Sequence, residues 1–147
     1  MLRVSKLTDY AVVVLVRLSA DNAPVATSPA LAAATSVPEP TVAKVLKALG
    51  TAGLVLSQRG ARGGYRLIRP LETISVADVI AAIDGPIALT ACVDGGIGGC
   101  EVHGTCAVKG RWDLVNDAIR QSLAAITLAD MRDAAIPARV SALLSAE

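Results

Sequence analysis

The 147-residue sequence predicts a mainly α-helical fold with one small β-hairpin, and three observations support this prediction. Apolar residues recur every three or four positions along much of the chain, which is the period of a helix face. The segment 54–68 instead holds two short strand-like runs around a glycine-rich loop. Hydrophobic residues make up 53% of the sequence and none is phenylalanine, so the expected core is aliphatic.

The first two helices are predicted from their apolar spacing and from their ends. The segment Lys6 to Ala20 has one apolar stripe, formed by Leu7, Ala11, Val14, Leu15 and Leu18. The polar and proline-containing segment 21–24 ends this helix. Ser28 followed by Pro29 is typical of a helix start, because the serine oxygen accepts from an amide and proline fits the first turn. A short second helix is therefore expected over 29–35.

A third helix is predicted over 39–51, after the stiff turn 37–40. Its inward face is apolar and consists of Val42, Val45, Leu46 and Leu49. Thr41, Lys44 and Lys47 lie on the opposite face. Two short helices joined by a tight turn, with cations on the outer face of the second, are typical of a helix-turn-helix.

The next segment is predicted to form a basic wing. Strand-like runs at 54–57 and 65–68 flank the loop 58–64, which reads Gln-Arg-Gly-Ala-Arg-Gly-Gly. Its glycines permit positive φ, and its arginines can enter a groove or bind phosphates. The sequence therefore predicts a winged helix-turn-helix DNA-binding domain, with an ordinary helical hairpin and surface turn as the alternative. The candidate DNA-binding residues are Pro40, Thr41, Lys44, Lys47, Arg59 and Arg62.

The charge of the chain is divided unevenly between its two halves. Residues 1–70 hold nine lysines and arginines against three acids, a net charge of +6. Residues 71–147 hold five against ten, a net charge of −5. No acid occurs between Pro40 and Pro70. This asymmetry indicates a nucleic-acid partner, which the overall charge of +1 conceals, with a solvated basic face as the alternative. Together with the predicted winged motif, it makes double-stranded DNA the expected partner.

The C-terminal half is predicted to contain three further helices. Ser75 is expected to cap a helix over 76–83, and Thr127 a short helix over 128–134. Between them, a long helix from about 107 to 126 has an apolar seam at Val108, Trp112, Val115, Ile119 and Leu123. Such a seam needs a partner, and the same helix of a second protomer would make a homodimer. Packing against its own domain is the alternative, and both can hold on different faces.

Three cysteines, Cys92, Cys100 and Cys106, fall within 15 positions of a glycine-rich loop. An odd number argues against a closed set of internal disulfides, and soft thiolates suit zinc or an iron–sulfur cluster. Either metal site usually needs a fourth ligand, for which His103 is a candidate. The alternatives are buried structural cysteines and, ranked last, a thiol enzyme using Cys106 with His103.

The length and composition favour one DNA-binding unit with appended segments. We predict a winged helix-turn-helix domain over 1–85, a cysteine loop over 86–107, and a dimerisation helix with a C-terminal tail over 108–147. No signal peptide and no apolar run long enough to span a bilayer is evident in the sequence. We therefore expect a cytoplasmic protein without a membrane partner. We also expect neither enzyme activity nor a small-molecule substrate, because the sequence offers no third orienting group beside Cys106 and His103 and no substrate pocket.

Four segments resemble one known family, and together they cover nearly the whole chain. They are MLRVSKLTDYA at 1–11, RGARGGY at 59–65, ISVADVI at 74–80 and the three-cysteine loop. The sequence is similar to the Rrf2 family of winged-helix transcription regulators, and most similar to its SUF-system and IscR-like regulators of iron–sulfur cluster assembly. The resemblance implies a homodimer with a long dimerisation helix.

The resemblance also implies an iron–sulfur cluster, [2Fe–2S] or [4Fe–4S], held by Cys92, Cys100 and Cys106 with one non-cysteine ligand. The histidine that some relatives place three residues after the last cysteine is Lys109 here. Asp9 matches the aspartate that other relatives donate from the opposite protomer, so Asp9 is the preferred fourth ligand and His103 the second.

The function implied by the resemblance is repression of cluster-assembly genes when clusters suffice, relieved when clusters are scarce. Two alternatives remain open. One is a repressor of the same family that responds to nitric oxide or to redox state, for which Asp9 is equally suitable. The other is a zinc-binding structural or adaptor module.

Overall fold

The computed structural model describes residues 2–20, 25–93, 99–102 and 104–133, together with 135, 138, 141, 142 and 145. In these residues there are six helices, and a short 3₁₀ turn, Leu71–Thr73, precedes the fourth. The elements are α1 (Lys6–Ala20), α2 (Ser28–Thr35), α3 (Glu39–Thr51), β1 (Val55–Gln58), β2 (Gly64–Leu67), α4 (Val76–Asp84), α5 (Trp112–Ala125) and α6 (Leu128–Arg132). In this part of the chain, no helix is both long and apolar enough to cross a membrane.

α1 lies at the centre of the core, in contact with α2, α3, α4 and α6. The predicted inward residues of α3 and most of the predicted stripe of α1 are buried in one aliphatic cluster. Burying a Val or Leu side chain contributes about 1.5–3 kcal/mol. The bounds of α1 and α3 agree with those predicted from the apolar period, because both helices turn one apolar face to the same core.

The helix-turn-helix consists of α2, a tight turn and α3. Thr27, rather than the predicted Ser28, is the N-cap of α2, and its hydroxyl oxygen accepts from the amide of Ala30 at 3.3 Å. Ser36 ends α2 in the left-handed conformation, with φ of 60°. Val37 in the turn is buried, which fixes the start of α3 against the core.

The wing is an antiparallel hairpin in which Gln58 lies opposite Gly64. The predicted strands 54–57 and 65–68 each differ from the observed strands by one residue. Tyr65 of β2 also pairs with Ala26, ahead of α2, through backbone bonds of 2.7 and 2.9 Å. The wing is thereby joined to the helix-turn-helix.

The start of α6 is paired through its backbone with the start of α4, which places α6 against the core. Ser75 and Thr127 cap α4 and α6, each with a complete capping box, as predicted for the two caps. The two caps form a β-bridge, with bonds from Val76 N–H to Ile126 O and from Leu128 N–H to Ile74 O. The sequence placed α6 with the unit 108–147, but its packing joins it to the core of the N-terminal unit.

α5 begins at Trp112 and ends at Ala125, and is shorter than the predicted helix over 107–126. Gly110 has φ of 73°, which a right-handed helix cannot accommodate, so 107–111 forms turns instead. Val108 therefore lies outside the helix whose seam it was predicted to extend.

Candidate DNA-binding surface and cysteine site

The outer face of α3 is a cationic surface. Pro40, Lys44 and Lys47 are exposed, and Thr41 is half-buried beside them. The opposite face of the helix is fully buried, so the orientation of these four side chains is fixed by packing. Neither lysine forms a salt bridge with any residue that the structure describes. Both cations are therefore available to a partner.

The wing extends this positive surface. Arg59 and Arg62, at the tip of the hairpin, are exposed. Arg66 points outward from β2, between the half-buried Tyr65 and Leu67. Together with Gln58, Thr27 and Arg62, it lines an open cavity of about 590 Å³ between the wing and the start of α2. The sequence analysis did not select Arg66, although the alternation of β2 was sufficient to place it outward.

Gly64 of the wing occupies a position that no other residue fits. Its φ is 151°, and a Cβ atom there would lie 2.6 Å from the carbonyl oxygen of Ala26. At the neighbouring Gly63, a Cβ atom would overlap the carbonyl oxygen of Gln58. This glycine pair is thus required for the close approach of three backbone segments, as expected of glycines in this loop.

The cysteine site holds three free thiols, Cys92, Cys100 and Cys106, each partly buried. Thiolates of this number suit zinc or an iron–sulfur cluster. Asp9 is exposed on the first turn of α1, and His103 lies outside the described residues. Among residues 2–20, 25–93, 99–102 and 104–133, no three Cys, His, Asp or Glu side chains lie close enough together to hold a metal ion. The donor set therefore fits such a group chemically, but the described residues of one protomer do not assemble it.

Cys92 is held in a defined turn at the start of this loop. The hydroxyl of Thr90 lies 3.2 Å from the Cys92 sulfur, and the amide of Val93 donates to the carbonyl of Thr90. Val93 itself is 6% exposed. The first cysteine is thus fixed by a side-chain contact, a backbone bond and a buried neighbour.

Asn116 fastens the segment before Cys92 to α5. Its side chain is 3% exposed, and its amide group donates to Ile87 O and accepts from Leu89 N–H, each at 3.0 Å. Sequence reasoning did not select Asn116. Its polar side chain within the apolar seam of α5 was the available signal, because a buried amide needs partners.

Thr8 fastens the other end of the same segment to α1. The Thr8 hydroxyl, 1% exposed, donates to the carboxylate of Asp84 at 2.8 Å. Asp84 is the last residue of α4, directly before the segment that leads to the cysteine loop. The helix that carries Asp9 is therefore joined by a hydrogen bond to the path toward Cys92.

The seam of α5 is only partly covered within this chain. Trp112 and Val115, at its beginning, are 41% and 44% exposed. Ile119 and Leu123, further along, are half-buried and line a mainly apolar cavity of about 640 Å³ between α4, α5 and 85–91. The same chain thus partly covers the second half of the seam and leaves the first half exposed.

A helical pair with an exposed cationic second helix, followed by a basic hairpin, defines a winged helix-turn-helix protein, a DNA-binding architecture. The chain belongs to the Rrf2 family, whose model, described as an iron-dependent transcriptional regulator, matches residues 4–134. The predictions of the family and of a mainly α-helical winged fold are confirmed. The protein is a transcriptional regulator and not an enzyme.

Individual relatives agree with this assignment. The chain is 38% identical over 144 residues to Rv1287 of Mycobacterium tuberculosis, named an HTH-type transcriptional regulator, covering 97% of this chain and 88% of the relative. The structure is similar to CymR, described as the global cysteine regulator of B. subtilis, with a TM-score of 0.69, 26% identity and coverage of 90% and 97%. It is also similar to T. potens IscR, with a TM-score of 0.63, 31% identity and coverage of 88% and 85%.

Proposed function

We propose that this regulator binds double-stranded DNA as a homodimer in the cytoplasm and represses genes of iron–sulfur cluster assembly while its own cluster is present. The observation that carries the proposal is the position of the three thiols. They follow a segment that is hydrogen-bonded to α1 at one end and to α5 near the other. The description of the family as iron-dependent supports the choice of metal.

DNA would be bound by α3 and the wing. In this arrangement Pro40, Thr41, Lys44 and Lys47 lie in or beside the major groove, as in other helix-turn-helix proteins. Arg59 and Arg62 of the wing contact the backbone or the minor groove. The stretch 40–70 holds no acidic residue that would repel the DNA phosphates. Its lysines and arginines would displace counterions from the DNA on binding, which favours this assignment.

The cluster ligands would be Cys92, Cys100 and Cys106, with Asp9 of the second protomer as the fourth and His103 as the alternative. Within the described part of one protomer, the three cysteines and Asp9 do not form a metal site. This agrees with the proposal, because a site shared between two chains is incomplete in either alone. A bound cluster would supply a labile link that oxidation, nitrosylation or iron shortage removes.

The link between sensing and DNA binding would pass through the fastened segment 85–91. Thr8 holds its beginning to α1, the central helix of the DNA-binding core, and Asn116 holds its middle to α5. A rearrangement at Cys92 would therefore move two helices that set the separation of the recognition helices in a dimer. Couplings of this kind are typically worth about 1–3 kcal/mol, or about 5–150-fold in affinity.

The proposal is tested by anaerobic purification with assays of iron, sulfide and zinc, followed by gel shifts with and without the cofactor. We expect a coloured protein that contains iron and sulfide and whose promoter affinity changes on cluster loss. The variants Cys92→Ser, Cys100→Ser and Cys106→Ser should lose the colour. Thr105→Ser, a conservative change in the same loop, should keep it. A colourless protein with unchanged DNA binding would contradict the proposal.

A second candidate is a repressor that senses redox state or nitric oxide directly through its thiols. It is favoured by the three partly accessible free thiols, which the described part of one protomer does not bring into a metal site. The similarity to CymR, described as the global cysteine regulator of B. subtilis, supports a signal other than cluster supply. DNA binding that changes on thiol oxidation in an iron-free and zinc-free protein would identify this function. Stoichiometric zinc would instead support a zinc-binding adaptor.

A further inference from the structure

The three cysteines differ in how their surroundings hold them. The sulfur of Cys92 lies 3.2 Å from the Thr90 hydroxyl, and either atom can be the donor in the neutral pair. Among the residues that the structure describes, neither Cys100 nor Cys106 has a side-chain hydrogen bond. Cys92 is thus distinguished by a polar partner at its sulfur.

The direction of this hydrogen bond is fixed once the thiol loses its proton. A thiolate has no hydrogen to donate, so the Thr90 hydroxyl must then donate to the sulfur. Hydrogen bonds to an ionised acceptor are the stronger ones, because the donor dipole stabilises the charge. The donor also withdraws electron density from the sulfur and lowers its reactivity as a nucleophile.

The backbone around the pair is held in place from α5. Asn116 uses both ends of its side-chain amide on Ile87 and Leu89, immediately before Thr90. Val93, one residue after the cysteine, is buried and its amide closes the turn on Thr90 O. The turn therefore holds the Thr90 hydroxyl close to the Cys92 sulfur.

We infer that Thr90 is a positioning residue for Cys92: its hydroxyl orients the Cys92 thiolate and lowers its reactivity as a nucleophile. This makes the sulfur of Cys92 distinct from those of Cys100 and Cys106. In the cluster-bound protein the same bond would raise the reduction potential, because hydrogen bonds to ligand sulfurs are among the factors that set it. This last consequence rests on the proposed function, whereas the bond itself does not.

The first test measures the alkylation rate of each cysteine in the metal-free, reduced protein by mass spectrometry of the labelled peptides. The pH is raised until the rate no longer increases, so that the plateau rate of the fully ionised thiol reports nucleophilicity and access. Thr90→Val has nearly the same shape as the native side chain but lacks the hydroxyl. We expect Cys92 to react severalfold faster in this variant, with Cys100 and Cys106 unchanged.

Thr90→Ser is the matched control, because it keeps the hydroxyl and removes a methyl group. It should return the Cys92 rate to the native value. An unchanged Cys92 rate in Thr90→Val would overturn the inference. Equal acceleration at all three cysteines would overturn it as well, because it indicates general loosening of the loop. Circular dichroism at the same pH verifies that the variants are folded.

The second test measures the midpoint potential of the cluster in the same three proteins under anaerobic conditions. Thr90→Val should have a lower potential than the native protein, and Thr90→Ser a native one. Identical potentials in cluster-containing proteins would contradict the inference for the ligated sulfur. If no cluster binds at all, the proposed function fails, and the alkylation rates alone decide whether Thr90 positions Cys92.

Discussion

At the scale of single residues, two buried polar side chains carry long-range connections. Thr8 and Asn116 are almost completely inaccessible, yet the Thr8 hydroxyl has a carboxylate partner and both ends of the Asn116 amide are paired with backbone. A buried polar group that loses its hydrogen-bond partner still lacks contact with water. Removing the partner therefore destabilises the protein by more than the net contribution of the bond to stability. The position of the segment 85–91 depends on both side chains.

Removal of the Asn116 amide should destabilise the protein measurably. Asn116→Ala leaves Ile87 O and Leu89 N–H without partners in a half-buried site, and we expect a loss of about 1–3 kcal/mol in the free energy of unfolding. Ser122→Ala, at an exposed hydroxyl of the same helix, should change it by less than about 0.5 kcal/mol. Urea unfolding measures both. An Asn116→Ala protein as stable as the native one would contradict the assignment.

Arg59 should contribute one phosphate contact to DNA binding. Arg59→Ala should weaken binding across sequences and reduce the slope of log affinity against log salt by about one. Arg120→Ala is the matched control. That arginine pairs with Asp117 on the surface of α5 and lies outside the proposed DNA-binding surface. Fluorescence anisotropy over a salt series gives the slopes. An unchanged slope for Arg59→Ala would count against a role of the wing in DNA binding.

At the scale of elements, the glycine-rich wing has a backbone conformation that is held by close contacts. Its two strands pair with each other, and Tyr65 of β2 pairs with Ala26 ahead of α2. The three backbone segments approach so closely at Gly64 that a side chain would collide with Ala26. The orientation of the wing arginines relative to α3 therefore depends on one glycine.

Gly64→Ala should disrupt the wing and lower the thermal stability. The added Cβ atom would lie 2.6 Å from Ala26 O, at a φ of 151°, so the hairpin must shift at a cost of about 1–3 kcal/mol. Gly50→Ala, where the nearest atom is 3.9 Å away at the end of α3, should instead be neutral or stabilise by up to about 1 kcal/mol. Thermal unfolding distinguishes the two variants, and equal melting temperatures would contradict the strain argument.

At the scale of the whole molecule, the bridge between Ser75 and Thr127 joins the two ends of the segment that runs from α4 to α5. α4 packs against α1 and α3 in the core, and α6 packs against α1 directly after the second cap. The thiols and the half-exposed seam of α5 both lie in the segment between the two caps. In the proposed dimer, a change at the thiols would therefore alter how two DNA-binding cores face half-sites about 34 Å apart or a multiple of that.

A charge in the exposed half of the seam should separate the proposed dimer. Val115→Glu places a carboxylate where an apolar interface is expected, and burying an unpaired charge costs several kcal/mol. Gln121→Glu adds the same charge on the opposite side of α5, where it should leave the dimer intact. Sedimentation velocity reports the mass of each variant. A dimeric Val115→Glu protein would exclude this surface as the interface.

The amino-acid order was sufficient to predict the elements whose signals are local. The apolar period defines α1 and α3, the hydroxyl residues Ser75 and Thr127 cap the helices that follow them, and the basic loop between two strand-like runs defines the wing. These features depend on interactions within a few residues, so the order of amino acids is sufficient to predict them.

The tertiary structure alone decided the features that join distant segments. It shortened α5 at Gly110, returned α6 to the core, and paired Asn116 with a segment 27–29 residues away. Within the described part of one protomer, it also did not bring the three cysteines together as a metal-binding group, although they are close in sequence. Such contacts arise from packing between elements, and the physical reason they escape sequence analysis is that no local pattern specifies which backbone a buried side chain will meet.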